Sequence, residues 1–246
     1  MKIYLKVISI IIIVIILFEI FVGAYEFSTI CNIIKEKYDG NPYGEMVRQI
    51  QRASCGYEPS IPISKYIFYK DELVGAISKD ILILKGSSTI VDCIKDIEIG
   101  KQNIEDIGGV QSGSESMVSK ILPQISNYQI NTITGWSLGA MVGLQISLHI
   151  YETTGRKTNN IFFGLPPIVS KKFQRHYNRK LYSNTIVYNN DKDPIAYPFT
   201  GNNIFKNILE NIWGYYHVGK ITSDYPFTDY YKKHLYSPAS YHLSYF

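Results

Sequence analysis

Residues 130–141 constrain the fold more than any other stretch of this sequence, because they join a strand, a very tight turn and a helix. A β-branched run, Ile130 to Thr134, leads into Gly135-Trp136-Ser137-Leu138-Gly139, and a strongly apolar segment continues to Tyr151. A Gly-x-Ser-x-Gly pentapeptide also arises by chance, and it is the strand before it and the helix after it that favour a chemical role. The pattern therefore predicts Ser137 as a nucleophile.

The residues of this turn, which we call the elbow (residues 135–139), have a physical explanation. Gly135 and Gly139 leave out side chains where the strand and the helix approach most closely. The following helix directs its free N–H groups and positive dipole end toward an oxyanion that develops beside Ser137. We interpret Trp136 as ordinary packing rather than as a cover over the turn.

Short β-rich runs and helical segments alternate along the rest of the chain. Three runs before the elbow are separated by short polar segments and predict an antiparallel meander. The alternation beyond them predicts one α/β domain, with a mostly parallel central sheet covered by helices on both faces. The predicted strands are 66–69, 73–77, 81–84, 130–134, 160–164 and 185–188, the predicted helices are 45–53 (at the surface), 114–125, 138–151 and 171–180, and 99–113 is predicted as a loop.

The amino terminus has the layout of a secretory signal. Two lysines precede an apolar run from Val7 to Val22, and Val22 and Ala24 are small residues of the kind that a signal peptidase reads. An uncleaved membrane anchor is the alternative, which Glu19 disfavours. We predict a signal peptide or signal anchor over 1–24, an exported and secreted chain, and one domain over 25–246.

The charge of the chain and its cysteine content limit the kinds of partner that the sequence predicts. The chain has 25 Lys and Arg against 21 Asp and Glu, a formal net charge of +4, without blocks of like charge. Nucleic acid is therefore not a predicted partner. The three cysteines fit no zinc pattern and allow at most one intramolecular disulfide in an exported protein, so we expect Cys31 to pair with Cys55 and Cys93 to stay free.

A nucleophilic serine needs a base, and the base needs an acid that orients it. Asp193 follows the predicted strand 185–188 at its carboxyl end, where sites of parallel sheets assemble. Asp191 lies two residues nearer the strand, and we interpret it as a solvated turn residue. The histidines after the elbow number five: we interpret His149 as structural and His176 as solvent-facing, and residue chemistry alone does not choose among His217, His234 and His242.

Several motifs, in the same order, resemble those of the class 3 lipase family, the fungal-type triacylglycerol lipases of the α/β-hydrolase superfamily. The elbow is similar to that family's T-G-H-S-L-G, with Trp136 in place of the histidine. The other similar segments are Ile83–Ile90 (the R-G-[ST]-x-S strand end, with lysine for arginine), Val110–Gly113 (H-x-G-F without its histidine and phenylalanine), Asp193–Pro198 (D-P-V-P-x-L-P, one residue short), Gly214–Gly219 (G-[FY]-x-H-[AV]-G) and the ending His242–Phe246.

The resemblance implies an α/β-hydrolase fold and a Ser137–Asp193–His242 triad, with His234 as the alternative base and His217 outside the triad. It also implies that the backbone N–H groups of Ser87 and Leu138 form the oxyanion hole. Because His242 lies four residues from the end of the chain, we expect packing to hold it in place, through Leu243, Tyr245 and Phe246.

A further amphipathic pattern follows Ser87. Ile90, Val91, Ile94 and Ile97 have helical spacing, which fits the short lid of a lipase, and a core-facing helix is the alternative. The overall prediction is a cofactor-free and metal-free triacylglycerol lipase that acts on lipid esters at a lipid–water interface or membrane surface. The alternatives are a phospholipase A1 or another esterase on the same fold, and an inactive membrane-anchored interaction protein.

Overall fold

The structure is a computed structural model. It describes residues 40–87, 101–104, 107–167, 169–193, 196, 214, 216–225, 242 and 244–245. The predicted signal segment, the predicted lid, Cys31, Cys93, His234, Leu243 and Phe246 lie outside these residues.

Nine strands are present in the described part of the chain, and seven of them form one mixed sheet. The strands are β1 (Lys65–Tyr69), β2 (Glu72–Ser78), β3 (Ile81–Leu84), β4 (Lys101–Ile104), β5 (Gly108–Gln111), β6 (Thr132–Trp136), β7 (Asn159–Phe163), β8 (Thr185–Tyr188) and β9 (Lys220–Thr222). The seven-stranded sheet has the order β1-β2-β3-β6-β7-β8-β9. The first three strands form the predicted antiparallel meander, and every pairing from β3 to β9 is parallel.

Helices flank this sheet. They are α1 (Pro42–Ala53), α2 (Ser112–Ile125), α3 (Leu138–Thr154) and α4 (Lys171–Leu181), and α4 runs on into a 3-10 turn, Tyr182–Asn184. The α3 helix lies against one sheet face, where a side chain on Gly143 would meet Phe162 and Ile133. The opposite face is buried as well, since Ile83, Trp136 and Phe163 are at most 1% exposed. The predicted mostly parallel sheet with helices on both faces is confirmed.

The first helix differs from the prediction of a surface helix. It begins at Pro42, which suits the first helical turn, and the Asn41 side chain caps it by accepting from Tyr43 N–H at 2.9 Å. Val47 and Ile50 are fully buried, so one face of α1 belongs to the core. Two apolar residues were too few to indicate this face from the sequence.

The segment predicted as a loop over 99–113 is also different. Lys101–Ile104 pairs antiparallel with Gly108–Gln111, and the pair forms a small second sheet. The hydrogen-bonded backbone ladder gives this polar, glycine-rich stretch its strand conformation, which a search for alternating apolar residues misses. The elbow strand begins at Thr132 rather than Ile130 and continues through Trp136.

A buried polar cluster fixes α3 and α4 to the far end of the sheet. The Tyr177 hydroxyl hydrogen-bonds to Ser147 Oγ at 3.0 Å and Thr185 Oγ1 at 2.8 Å, and it accepts from Asn160 Nδ2 at 3.3 Å. Burial raises the pKa of Tyr177 to about 12, although its hydrogen bonds favour the ionised form. The satisfied partners make this cluster structural.

Candidate active site

Ser137 occupies a backbone conformation that few residues other than glycine adopt. Its φ is 52° and its ψ is −119°, and it stands as the N-cap of α3. Its N–H donates to Phe163 O at 3.0 Å, which continues the β6–β7 ladder, and its carbonyl accepts from Met141 N–H at 3.1 Å, which starts the helix. The chain therefore turns from strand to helix within one residue, at the carboxyl edge of the parallel strands.

The two elbow glycines allow this turn. A Cβ at Gly135 would lie 2.6 Å from the Gly139 carbonyl carbon, and a Cβ at Gly139 would overlap the carbonyl oxygens of Leu84 and Lys85. Real Cβ atoms do not approach backbone so closely. The predicted role of these glycines at the closest approach of strand and helix is confirmed.

Asp193 and His242 form a buried pair although 49 residues separate them in sequence. His242 Nδ1–H donates to Asp193 Oδ2 at 2.7 Å, and the two residues are 2% and 0% exposed. This bond fixes the imidazole tautomer, so Nε2 is the nitrogen that can accept a proton. Nε2 is itself buried and has no hydrogen-bond partner among the residues that the structure describes.

Further donors surround the Asp193 carboxylate. The Tyr245 hydroxyl donates to Oδ2 at 2.8 Å, and Ala196 N–H donates to Oδ1 at 3.2 Å. Asp193 N–H donates to Asn190 O at 3.0 Å, which closes the turn after β8. The carboxylate is therefore held as a buried acceptor by donors on both of its oxygens.

Ser244 and Tyr245 are held in place by hydrogen bonds to Asn190, in the turn after β8, and to Tyr225. Tyr245 is fully buried; its hydroxyl accepts from Asn190 N–H at 2.8 Å, and its carbonyl accepts from the Tyr225 hydroxyl at 3.1 Å. Asn190 Nδ2 donates to Ser244 Oγ at 2.9 Å. The expectation that packing of Tyr245 holds the terminal histidine is confirmed for that residue.

Two contacts bring the pair next to the elbow. Trp136, the residue before Ser137, donates from Nε1 to the His242 carbonyl at 3.1 Å. Gly164, which follows the Phe163 bound to Ser137 N–H, approaches so closely that a Cβ on it would lie 3.0 Å from His242 Cε1. The Asp193–His242 pair therefore lies beside Trp136 and Gly164, at the carboxyl edge of the sheet where Ser137 begins α3.

The predicted oxyanion donors lie at the same edge. Leu84 is in register with Gly135 in the parallel β3–β6 pair, so the segment that leads to Ser87 runs beside the elbow. Ser87 is 8% exposed, and within the described part of the chain its buried Oγ has no hydrogen-bond partner. Leu138 is the first residue of α3, where backbone N–H groups have no intrahelical acceptor.

The remaining candidates lie elsewhere. His149 is exposed on α3, and His176 pairs through Nε2 with Glu152 at 2.8 Å at the surface. The carbonyl of His217 accepts from Gln174 Nε2 at 2.7 Å. Asp191 is exposed, as its interpretation as a solvated turn residue predicts. Cys55 is disulfide-bonded. Its expected partner, Cys31, lies outside the described residues, so the pairing of these two cysteines stays a prediction.

Sequence reasoning missed three residues that build this site. Asn190 and Gly164 carry no signal in a single sequence, because an asparagine or glycine after a strand is common in any turn. Gly164 has a φ of +56°, a conformation that L side chains rarely adopt. Tyr245 was expected to pack, but the hydrogen bond from its hydroxyl to Asp193 was not foreseen.

Solved structures that are similar to this one include fungal lipases. A Rhizomucor miehei lipase–propeptide complex matches with 15% identity and a TM-score of 0.54, over 73% of this chain and 65% of that chain. A Yarrowia lipolytica lipase matches with 15% identity and a TM-score of 0.59, over 75% and 79%. A Rhizopus microsporus var. chinensis lipase matches with 14% identity and a TM-score of 0.56, over 73% and 71%. At these identities the likeness shows the fold alone.

The sheet, its flanking helices and the strand–turn–helix at Ser137 together form the α/β-hydrolase fold. The family model for class 3 lipases matches residues 81–201, which include the elbow and Asp193. Over this stretch the chain is similar to the class 3 lipases, a family of carboxylic ester hydrolases. A comparison with curated protein sequences finds no significant match.

Two kinds of feature are absent from the described residues. None of their helices combines the length and the apolar character that a membrane crossing requires. Within the same residues, no cluster of three or more histidine, cysteine, aspartate or glutamate side chains has the geometry of a metal site.

Proposed function

We propose that this protein hydrolyses carboxylic esters of lipids, with triacylglycerol as the substrate class, through a Ser137–Asp193–His242 triad. The observation that carries the proposal is the buried 2.7 Å bond between Asp193 and His242 beside the strained turn at Ser137. A matched triacylglycerol lipase, 16% identical with a TM-score of 0.52, has a catalytic centre formed by a serine protease triad.

The first half-reaction forms an acyl-enzyme. Ser137 Oγ attacks the ester carbonyl carbon while His242 Nε2 takes the hydroxyl proton, and the carbonyl π pair moves to the oxygen. The N–H groups of Ser87 and Leu138 donate to this oxyanion, and removing one such donor typically costs about 3–4 kcal/mol. When the oxyanion collapses, the C–O bond to the alcohol breaks and His242 returns the proton to the departing alkoxide.

Water completes the cycle. His242 takes a proton from a water molecule that attacks the acyl carbon, and the proton then passes to Ser137 Oγ as the fatty acid leaves. Asp193 orients the imidazole and stabilises the imidazolium. The donors on both carboxylate oxygens support this role, because they hold the carboxylate in place beside Nδ1.

We also propose that the chain is exported through a signal segment over 1–24, and that it acts at a lipid–water interface. One matched fungal lipase–inhibitor complex, 15% identical with a TM-score of 0.55, provides a model for interfacial activation in lipases. The proposed lid around Ile90–Ile97 would give this chain a similar response.

The test uses the wild-type protein and Ser137→Ala on emulsified triacylglycerol, phosphatidylcholine and a p-nitrophenyl ester. Fatty-acid release from triacylglycerol by the wild type alone supports the proposal. Release from phosphatidylcholine in preference to triacylglycerol would favour a phospholipase A1. Equal rates for wild type and Ser137→Ala would refute the assignment of the nucleophile, and absence of hydrolysis of every ester would favour an inactive interaction protein.

A further inference from the structure

The residue before the proposed nucleophile contacts the proposed base. Trp136 Nε1–H donates to the backbone carbonyl of His242 at 3.1 Å. The indole and imidazole ring centroids are 4.9 Å apart, and their planes meet at 34°. One side chain thus engages both the main chain and the ring of His242.

Trp136 is itself held firmly. It is 1% exposed, and its backbone lies at the end of β6, where it pairs with Phe163 on β7. Gly86 lies against the six-membered ring of the indole so closely that a Cβ on Gly86 would overlap ring atoms Cε3 and Cζ3. A side chain confined in this way has few rotamers to lose, and it can serve as a rigid support.

The backbone of His242 needs such a support. The Nδ1 bond to Asp193 orients the imidazole, but it leaves the backbone of His242 to be fixed by other contacts. The Cα atoms of Trp136 and Ser137 are consecutive, so they are about 3.8 Å apart. A bond from Trp136 to the His242 carbonyl therefore fixes the base relative to the nucleophile through a single residue.

We propose that Trp136 is a positioning residue that holds His242 in register with Ser137, through its indole N–H and its ring face. The inference rests on the proposed function, since it assigns Trp136 a task within that site. Trp136 also occupies the place where the family motif has a histidine, so the proposal concerns a feature in which this sequence departs from the motif.

Two substitutions separate the two contacts. Trp136→Phe keeps an aromatic face and removes the N–H donor, whereas Trp136→Leu removes both. The matched control is Tyr177→Phe, which also removes hydrogen bonds of a fully buried aromatic residue but lies in the cluster at the far end of the sheet. Hydrolysis of a soluble p-nitrophenyl ester gives kcat and KM, and circular dichroism gives Tm and the folded fraction at the assay temperature.

We expect Trp136→Phe to lower kcat about tenfold and Trp136→Leu about a hundredfold, with KM changed by less than about twofold, because a small misplacement of a catalytic group acts on the chemical step. Tyr177→Phe should lower Tm and leave kcat per folded molecule within about twofold. If kcat of Trp136→Phe falls only in proportion to its folded fraction, Trp136 is a packing residue and the inference is wrong.

A second measurement does not depend on activity. The sequence contains two tryptophans, so Trp213→Phe leaves Trp136 as the only indole fluorophore. The imidazole ring lies 4.9 Å from the indole and packs on it, so replacing His242 with alanine should expose the indole and move its emission maximum to longer wavelength. If the wild type hydrolyses no ester, the proposed function fails, but this comparison still decides whether the contact exists. A shift between Trp213→Phe and Trp213→Phe/His242→Ala supports the contact, and identical emission overturns the inference.

Discussion

The Tyr245 hydroxyl donates a 2.8 Å hydrogen bond to Asp193 Oδ2, the same carboxylate oxygen that accepts the proton of His242 Nδ1. Both residues are fully buried. The penultimate residue of the chain therefore supports the proposed acid directly, and three residues earlier the same tail carries the proposed base. One segment contains both His242, the proposed base, and Tyr245, a hydrogen-bond donor to the proposed acid. The packing of this segment and the proposed chemistry are therefore linked.

Replacing Tyr245 with phenylalanine tests this link. Tyr245→Phe removes a donor from a buried carboxylate and an acceptor from Asn190 N–H. Because hydrogen bonds to charged groups contribute about 1.5–3 kcal/mol, we expect a comparable loss of stability. We also expect kcat to fall about tenfold, since the carboxylate orients the base less well. Urea unfolding and ester hydrolysis measure the two effects, and a variant with wild-type stability and kcat would show that this bond contributes nothing.

Replacing Gly164 with alanine tests the position of the imidazole. Gly164 has a φ of +56°, and an added Cβ would lie 3.0 Å from both His242 Cε1 and Tyr245 Cε2. Gly155 offers a matched control, because its φ is +72° and nothing lies within 4 Å of an added Cβ. The left-handed backbone costs a non-glycine residue roughly 1–2 kcal/mol at either position.

We expect Gly155→Ala to lower Tm and to leave kcat unchanged, whereas Gly164→Ala should lower Tm and reduce kcat by at least about tenfold. The difference between the two variants isolates the contact with the tail from the backbone strain that they share. Equal kcat values would mean that the space beside Gly164 is not needed for the chemistry.

Alkaline unfolding tests the buried cluster at the other end of the sheet. The pKa of Tyr177 is raised to about 12 from an ordinary value of 10.0, so the folded protein retains this proton where the unfolded chain has lost it. The stability that this difference supplies is complete below pH 10.0 and is lost as the pH rises toward 12. Tyr177→Phe, which cannot ionise there, should be less stable at neutral pH by about 1–3 kcal/mol.

The gap in unfolding free energy between wild type and Tyr177→Phe should therefore narrow as the pH rises through this window. One group with such a shift changes the free energy by up to about 1.4 kcal/mol per pH unit. Urea titrations of both proteins at neutral and alkaline pH measure the gap. A gap that stays constant would show that Tyr177 does not titrate differently in the two states.

The sequence was most informative where a local pattern dictates the backbone. Both ends of the strands 81–84 and 185–188 were predicted correctly, and so was the start of the helix at Leu138. An apolar run bounded by polar residues leaves few alternatives for where an element begins and ends. The glycines of the elbow were also interpreted correctly. Glycine is needed at these two positions because the strand and the helix approach closely there, and the Gly-x-Ser-x-Gly spacing indicates this approach.

The sequence was least informative where pairing partners decide the structure. Lys101–Ile104 becomes a strand because it pairs with Gly108–Gln111, and neither segment has the apolar alternation of a half-buried strand. The strand Lys220–Thr222 was likewise not predicted, since three residues give no period to read. Tertiary contact, rather than propensity, determines both elements.

The candidate site shows the same division. Residue chemistry selected Ser137 and Asp193 but left three histidines open, and only the resemblance to class 3 lipases chose His242. The contact between Asp193 and His242 is present in the structure, whereas the catalytic roles remain predictions. The contacts of Trp136 and Gly164 with His242, and the hydrogen bond from the Tyr245 hydroxyl to Asp193, depend on how distant segments meet, so no sequence pattern could indicate them.

The central claim is that Ser137 is an activated nucleophile, and labelling with a fluorophosphonate probe tests it most directly. Only a serine whose proton is taken by a base attacks the phosphorus and displaces fluoride, so mass spectrometry should find one modified peptide, with the label on Ser137. Labelling should be lost in Ser137→Ala and strongly slowed in His242→Ala, with both variants folded as judged by circular dichroism. Labelling of another residue, or the same rate in His242→Ala as in the wild type, would contradict the account.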